Sequence, residues 1–260
     1  MSARKFFKIV RILILSIILL GVAVGSWLTG KRSTSWEQPL WIAIYPINAD
    51  NTKNTQRYIN QLTLDSFKSI EDFISEEAEE FNLPLKHPFT LKLAPQVDSI
   101  PPEPPKSGAA WEIALWSLKL RFWAYKANTY QGPAPHIRIF VKYFDIADQQ
   151  PLAHSLGLQQ GMLGIVNAFA IEKMTNANAM VICHEILHTL GATDKYDLST
   201  GLPLFPEGYA EANRRPRHPQ DSAEIMAGRI PISATEAIIP RGLHQVIIGE
   251  KTAHEIHWLE

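Results

Sequence analysis

The residues able to do chemistry crowd into one stretch: His184, Glu185, His188, Gly191 and Asp194, followed by Tyr196 and Asp197. His184 and His188 are four positions apart, which on an α-helix puts them on one face with Cβ atoms about 5–6 Å apart. Two imidazoles so placed can reach one metal ion at roughly 2.0–2.1 Å each. Glu185 follows the first ligand and can lean over a metal-bound water. Zinc lowers the pKa of such a water to about 7, and a neighbouring carboxylate can then take its proton as it attacks a carbonyl. At ordinary residue frequencies a bare H-E-x-x-H arises by chance in fewer than about one in a hundred chains of this length. The plainer alternative is a helix with two half-buried histidines and a surface glutamate.

Catalytic zinc takes three protein ligands and keeps one open position. Gly191 stands where the helix would end in a left-handed cap. Asp194 follows after a short turn that can swing its carboxylate back towards the histidines, so it is the expected third ligand. Asp197 is a rival, although its ordinary role would be to hold its own loop through backbone hydrogen bonds. Glu207 or Glu211, donated from a later helix, is the other. The Pro- and Gly-rich surroundings of Glu207 argue against a long helix there.

The run H-E-x-x-H-x-x-G-x-x-D resembles the metzincin zinc peptidases, whose usual motif ends in His. Its continuation through Tyr196 and Asp197 resembles the immune-inhibitor-A type of secreted bacterial metallopeptidase. The resemblance is specific over residues 174–232. It implies one catalytic Zn2+, a peptide or protein substrate and a methionine-bearing turn beneath the metal. Glu224-Ile225-Met226-Ala227-Gly228 is the candidate for that turn. The family's tyrosine two residues after the methionine is absent. An oxyanion stabiliser would then be Tyr196 or Tyr209, with His218, Arg214, Arg215 and Arg217 as further options in a loop otherwise read as solvated.

These residues need elements to hold them. The chain has 260 residues, net charge -1 and 46% hydrophobic residues, enough for one sizeable domain with an appendage. Near-neutral charge gives no electrostatic reason for a nucleic-acid partner. Cys183 is the single cysteine, so no intrachain disulfide forms. It reads as a small buried hydrophobe. With no cysteine before the site, a cysteine-switch latency mechanism is excluded. His244, His254 and His257 read as scattered surface histidines.

Arg4, Lys5, Lys8 and Arg11 precede an uncharged run at 12–30, closed by Lys31 and Arg32. Its length, about 19 residues, suffices to cross a bilayer. The charge asymmetry predicts the N-terminus inside and the remainder outside, which is periplasmic in a Gram-negative cell. Residues 1–34 are thus expected to be a cytoplasmic stub and membrane anchor, and 35–260 a metallopeptidase-like catalytic domain. Cleavage near Ala23 and Gly25, giving a secreted protein, is the alternative.

Beyond a short linker at 33–39, periodicity predicts strands at 40–47, 89–93, 136–144 and 165–171. It predicts helices at 55–81, 109–126 and 177–190, the last capped by Thr175 or Asn176 and carrying the motif. The helix at 109–126 is apolar on both faces and is expected to be buried on most sides. The acidic run Glu71, Asp72, Glu76, Glu77, Glu79 and Glu80 reads as a solvated face. Residues 95–107 read as a stiff Pro-rich loop, and the stretch through Gly157, Gly161 and Gly164 as a glycine-bearing loop. A short helix is expected near 251–258.

The resulting expectation is an α+β fold with a twisted mixed sheet, two long helices and an active-site helix. A small irregular C-terminal subdomain and one N-terminal transmembrane helix complete it. By resemblance, residues 164–170 form the cleft rim along which a substrate strand would lie. Two other functions fit the residues. One is a non-catalytic zinc-stabilised interaction domain at the membrane, which would have no need of Glu185. The other is hydrolysis of a cell-wall amide bond.

Overall fold

The computed structural model describes residues 11, 35–105, 108–145, 155–158 and 162–260. The apolar run at 12–30 and the alternative cleavage residues lie outside the described residues. Among the described residues, no helix is long and apolar enough to cross a membrane.

A five-stranded mixed sheet organises the first two thirds of the chain. Its strands are β1 (Leu40–Asn48), β2 (Phe89–Leu93), β3 (Ile137–Phe144), β4 (Leu156–Leu158) and β5 (Leu163–Phe169), in the order β2-β1-β3-β5-β4. All neighbours are parallel except β4, which runs antiparallel along β5. β1 lies between two strands and is covered on both faces, so its sequence is a continuous apolar run. Leu40, Ile42 and Ile44 enter one core, and Ala43, Tyr45 and Ile47 the other. Pro46 is tolerated here because pairing with β2 ends at Ile44. Its carbonyl accepts from Val97 on that side, so its nitrogen also faces away from β3 and the β1–β3 ladder stays intact.

Helices α1 (Lys53–Gln61), α2 (Lys68–Glu80) and α4 (Thr175–Leu190) contribute to the first core. Helix α3 (Ala110–Lys126) covers the opposite face. The single helix expected at 55–81 is therefore two. A 3-10 turn at Leu64–Phe67 separates them, where the Ser66 hydroxyl accepts from the Thr63 backbone N–H at 3.1 Å. Such short polar side chains compete with the helical ladder for backbone groups.

Helix α3 also differs from expectation. Leu120 and Ala124 pack on Tyr45 and Phe140, but Trp111, Phe122 and Tyr125 are 68%, 61% and 75% exposed. The sheet offers it one face only, and among the described residues nothing covers the other.

Two further readings are corrected. The expected linker is not free over its described residues, 35–39: Trp36 is buried, stacks near Phe89, meets the Trp258 ring edge-on, and donates its indole N–H to the Ile256 carbonyl at 2.8 Å. The acidic run is not wholly solvated either. Glu71 accepts from the Leu91 N–H and Glu77 from the Ile248 N–H, each at 2.6 Å. Burial pushes the Glu77 carboxyl up to about 7.

The strand expected to form the cleft rim, at 164–170, does not lie at the sheet edge. β5 is an interior strand, and β4 forms the sheet edge beyond it. Three residues with a central glycine are too few to show a strand period, so β4 reads as loop in sequence.

After α4 the chain is irregular, as expected. Small pairs β6 (Ala223–Glu224) with β9 (Val246–Ile247), and β7 (Ile230–Pro231) with β8 (Ala237–Ile238), precede helix α5 (Glu250–Glu255).

Candidate metal centre

Helix α4 begins directly from a 3-10 turn at Glu172–Met174. Thr175 is its first residue, so neither Thr175 nor Asn176 caps it. It ends at Gly191, whose φ of 112° only glycine adopts cheaply. The Gly191 N–H bonds the His188 carbonyl and the Ala192 N–H bonds the Leu187 carbonyl, at 3.2 and 3.1 Å. This reversal turns the chain back across the helix end.

The turn brings Asp194 to the histidines. Its Oδ1 lies 3.3 Å from His184 Nε2 and 3.1 Å from His188 Nε2. The His184 Nδ1 is 2.9 Å from the Ile225 carbonyl, and the His188 Nδ1 is 2.8 Å from the Ala192 carbonyl. A carbonyl only accepts, so both Nδ1 atoms carry the proton, which leaves Nε2 as the atom each ring can turn to Asp194 or, once that position is deprotonated, to a metal ion. Donors held about 2.0–2.2 Å from a tetrahedral ion stand roughly 3.3 Å apart, close to the spacing of Asp194 Oδ1 from each Nε2. His184, Glu185 and His188 together form a group that could hold a metal ion.

The electrostatics agree with close charge contact. Burial alone would push the Asp194 carboxyl up, yet hydrogen bonds and charge from His184 and His188 hold it well below the usual carboxylate range. Burial pushes the His184 ring down, but Asp194 and Glu185 outweigh it and raise it. Glu185 is 4% exposed, although a helix-surface glutamate normally faces water.

The edge strand explains part of that burial. A Cβ placed on Gly157 would lie 2.4 Å from the His188 Cβ and 2.7 Å from the Glu185 carbonyl oxygen. It would also lie 3.1 Å from Glu185 Oε2. β4 therefore passes directly over the helix that carries His184 and His188, and only glycine fits at the crossing.

Met226 is completely buried in a tight turn closed by Ala227 and Gly228 N–H groups on the Glu224 carbonyl. Gly228 has φ 68°. The turn holds both ligand-bearing segments. The Ile225 carbonyl takes the His184 Nδ1–H, and the Met226 carbonyl takes the Lys195 N–H at 2.9 Å. Glu224 is buried and anchors the turn to α5. It accepts from the Ala227 N–H at 2.9 Å, the Gly249 N–H at 3.3 Å and the Thr252 hydroxyl at 2.6 Å.

A second fastening lies beside Asp194. Lys195 is 3% exposed and its ammonium donates to Glu255 at 2.6 Å. The same carboxylate accepts from the Thr193 N–H and hydroxyl. Burial pushes Glu255 up, but the bonds from Lys195 and Thr193 win and lower it. Neither Lys195 nor Glu255 stood out in the sequence, because their partnership spans 60 positions.

The remaining candidates separate. Tyr196 lines the same cavity as His184 and Glu185. Burial, then the charges of Asp194 and Glu185, raise its phenol. Tyr209 instead meets His218 Nε2 at 3.1 Å and lines a different cavity, together with Glu207. Glu211 pairs with Arg214, and the Arg217 guanidinium sits over the Phe205 ring. Asp197 accepts from Ser199 and Thr200 and so holds its own loop. Cys183 is fully buried, and that burial pushes its thiol up. The arrangement unites His184, Glu185, His188, Asp194 and Tyr196, and leaves Glu207 and Tyr209 apart.

No family model matches this chain, and no curated protein matches it.

Proposed function

We propose that the chain is a zinc-dependent peptidase of metzincin-like type. The observation that carries this is the approach of Asp194 Oδ1 to His184 Nε2 at 3.3 Å and to His188 Nε2 at 3.1 Å, with the buried Glu185 on the same helix as the histidines. Two imidazoles and a carboxylate suit zinc among the common divalent ions. Bound zinc would polarise the scissile carbonyl and acidify water at neutral pH.

The chain's own groups supply the rest. Glu185 accepts the proton of the attacking water and returns it to the leaving amine. Its burial keeps bulk water from competing for that proton. The Tyr196 hydroxyl, on the wall of the same cavity, is the group available to stabilise the oxyanion. The free edge of β4 supports an extended substrate that adds as a further strand. The apolar run at 12–30 supports a domain anchored to a membrane on its outer side.

Glu185→Gln tests the reading. It keeps the shape and the metal ligands but removes the base. Hydrolysis of a mixed peptide library should fall by at least about a hundredfold, with metal content per chain unchanged. Retained hydrolysis in this variant would remove Glu185 from the mechanism.

A further inference from the structure

The cavity that opens from the metal centre has a volume of ≈ 340 Å³. Its walls are mostly apolar, from Met180 and Val181 of α4, Leu198, Ile225 and Ile239. One cation interrupts them. Arg229 lines this cavity, and its guanidinium packs against Gly201, another lining residue: a Cβ there would meet Arg229 Cζ and Nη2 at 3.4 Å. Gly201 has φ 66°, so its backbone leaves this face bare for the guanidinium.

Arg229 differs from Arg214 and Arg217 in its partners. Arg214 is paired with Glu211 and Asp221, and Arg217 rests on Phe205. Among the described residues, Arg229 has no hydrogen bond or ion pair with another side chain. It is only partly exposed, yet its five donors remain available. A guanidinium in a half-apolar cavity is costly unless something binds it, and its planar fork matches a carboxylate in bidentate fashion.

We infer that Arg229 selects substrates with a carboxylate at a residue adjoining the scissile bond, the hydrocarbon stem resting on the apolar wall. This rests on the peptidase reading above. The carboxylate can come from a glutamate side chain or from the chain's own C-terminus; the chemistry recognised is the same. A site that donates to a buried anion rejects the neutral isostere strongly, because its donors are then left unpaired.

The test uses the full chain and quenched fluorescent peptides of one sequence. The residue on either side of the scissile bond is varied among Glu, Gln, Leu and Lys. A second set ends one residue beyond that bond, as free acid or amide. The expected result is a kcat/KM for Glu over Gln, or for acid over amide, of roughly ten- to a hundredfold. Arg229→Gln should bring that ratio close to one, Arg229→Lys should restore part of it, and Arg229→Glu should turn the preference towards Lys. A preference confined to the free-acid set identifies the C-terminal carboxylate as the source. One that persists in internal, amidated peptides identifies the side chain. Cleavage without any acid preference, or a preference that survives Arg229→Gln, overturns this inference and leaves the peptidase reading standing. Cleavage of no peptide, acidic or neutral, overturns both.

Discussion

The Lys195–Glu255 pair offers a way to loosen the Asp194 loop without touching a ligand. In Glu255→Ala the Lys195 ammonium remains 3% exposed, with only the Thr193 carbonyl and hydroxyl as partners. Removing one member of a buried pair costs about 3–5 kcal/mol, mostly as the penalty of the charge left behind. Glu255 keeps 16% exposure, which places the effect at the lower end, about 3 kcal/mol. Glu255→Gln retains the shape and one acceptor, so about 1.5 kcal/mol is expected. Thr193 loses both of its bonds to the carboxylate in the alanine variant, and Thr193 adjoins Asp194. Metal affinity should then fall roughly tenfold, as for other groups that orient a ligand from behind. Denaturant unfolding and competition with a chelator measure the two effects. Lost stability with unchanged metal affinity would refute the claim that this pair positions Asp194. The pH dependence has a definite sign. Glu255 is lowered in the folded state, so its contribution is fully present above its unfolded pKa of about 4.3. It is lost as pH falls below that value through the folded pKa. The alanine variant should therefore lose less stability than the parent on acidification to about pH 3.

Gly157→Ala places a methyl 2.4 Å from the His188 Cβ, so β4 or α4 must move. A loss of about 1–3 kcal/mol together with weaker metal retention is expected, and unfolding and metal stoichiometry equal to the parent would contradict the crossing geometry. Asp194→Ala should cost most of the metal at a fixed chelator concentration. Asp197→Ala and Glu207→Ala should keep it, because Asp197 bonds its own loop and Glu207 lines another cavity. Elemental analysis after dialysis distinguishes these outcomes.

The juxtaposition of His184, His188 and Asp194 was legible because each of its parts is local. Four-residue spacing on a helix, a glycine at the cap and an aspartate three positions later specify the geometry without distant contacts. The strand positions were legible for a similar reason, since β1, β2 and β3 are long enough to carry a pattern. What escaped depends on partners far along the chain. Trp36 read as linker because its indole acceptor, Ile256, lies 220 positions away. Glu77 read as solvent-facing because the backbone N–H it accepts from is 171 positions away. β4 escaped because three residues carry no period, and its defining feature is a missing side chain at Gly157. The outer face of α3 misled in the opposite sense: composition implies burial, but only packing decides which side is covered.

The C-terminal third has little regular structure, yet it holds the segments around His184 and Asp194, and carboxylates explain how. Helix α5 has six residues, too few to be stable alone. Three buried or half-buried carboxylates tie it and its approach to the rest. Glu224 joins the Met226 turn to Gly249 and Thr252. Glu255 joins α5 to Thr193 and Lys195 on either side of Asp194. Glu77 joins α2 to Ile248 just before α5 begins. Each carboxylate accepts a backbone N–H that in a longer element would bond a neighbouring strand or turn. Side-chain acceptors thus replace ladder acceptors, and the cost of burying each carboxylate is offset by the donors it satisfies. The histidines arrive on a helix that would form in many contexts. The aspartate arrives on a loop that Glu255 fastens from the far end of the chain, beside the backbone bond from Lys195 to the Met226 carbonyl. The position of Asp194 therefore depends in part on residues up to about 60 positions downstream, so on the peptidase reading changes near Glu255 should reach a metal bound there.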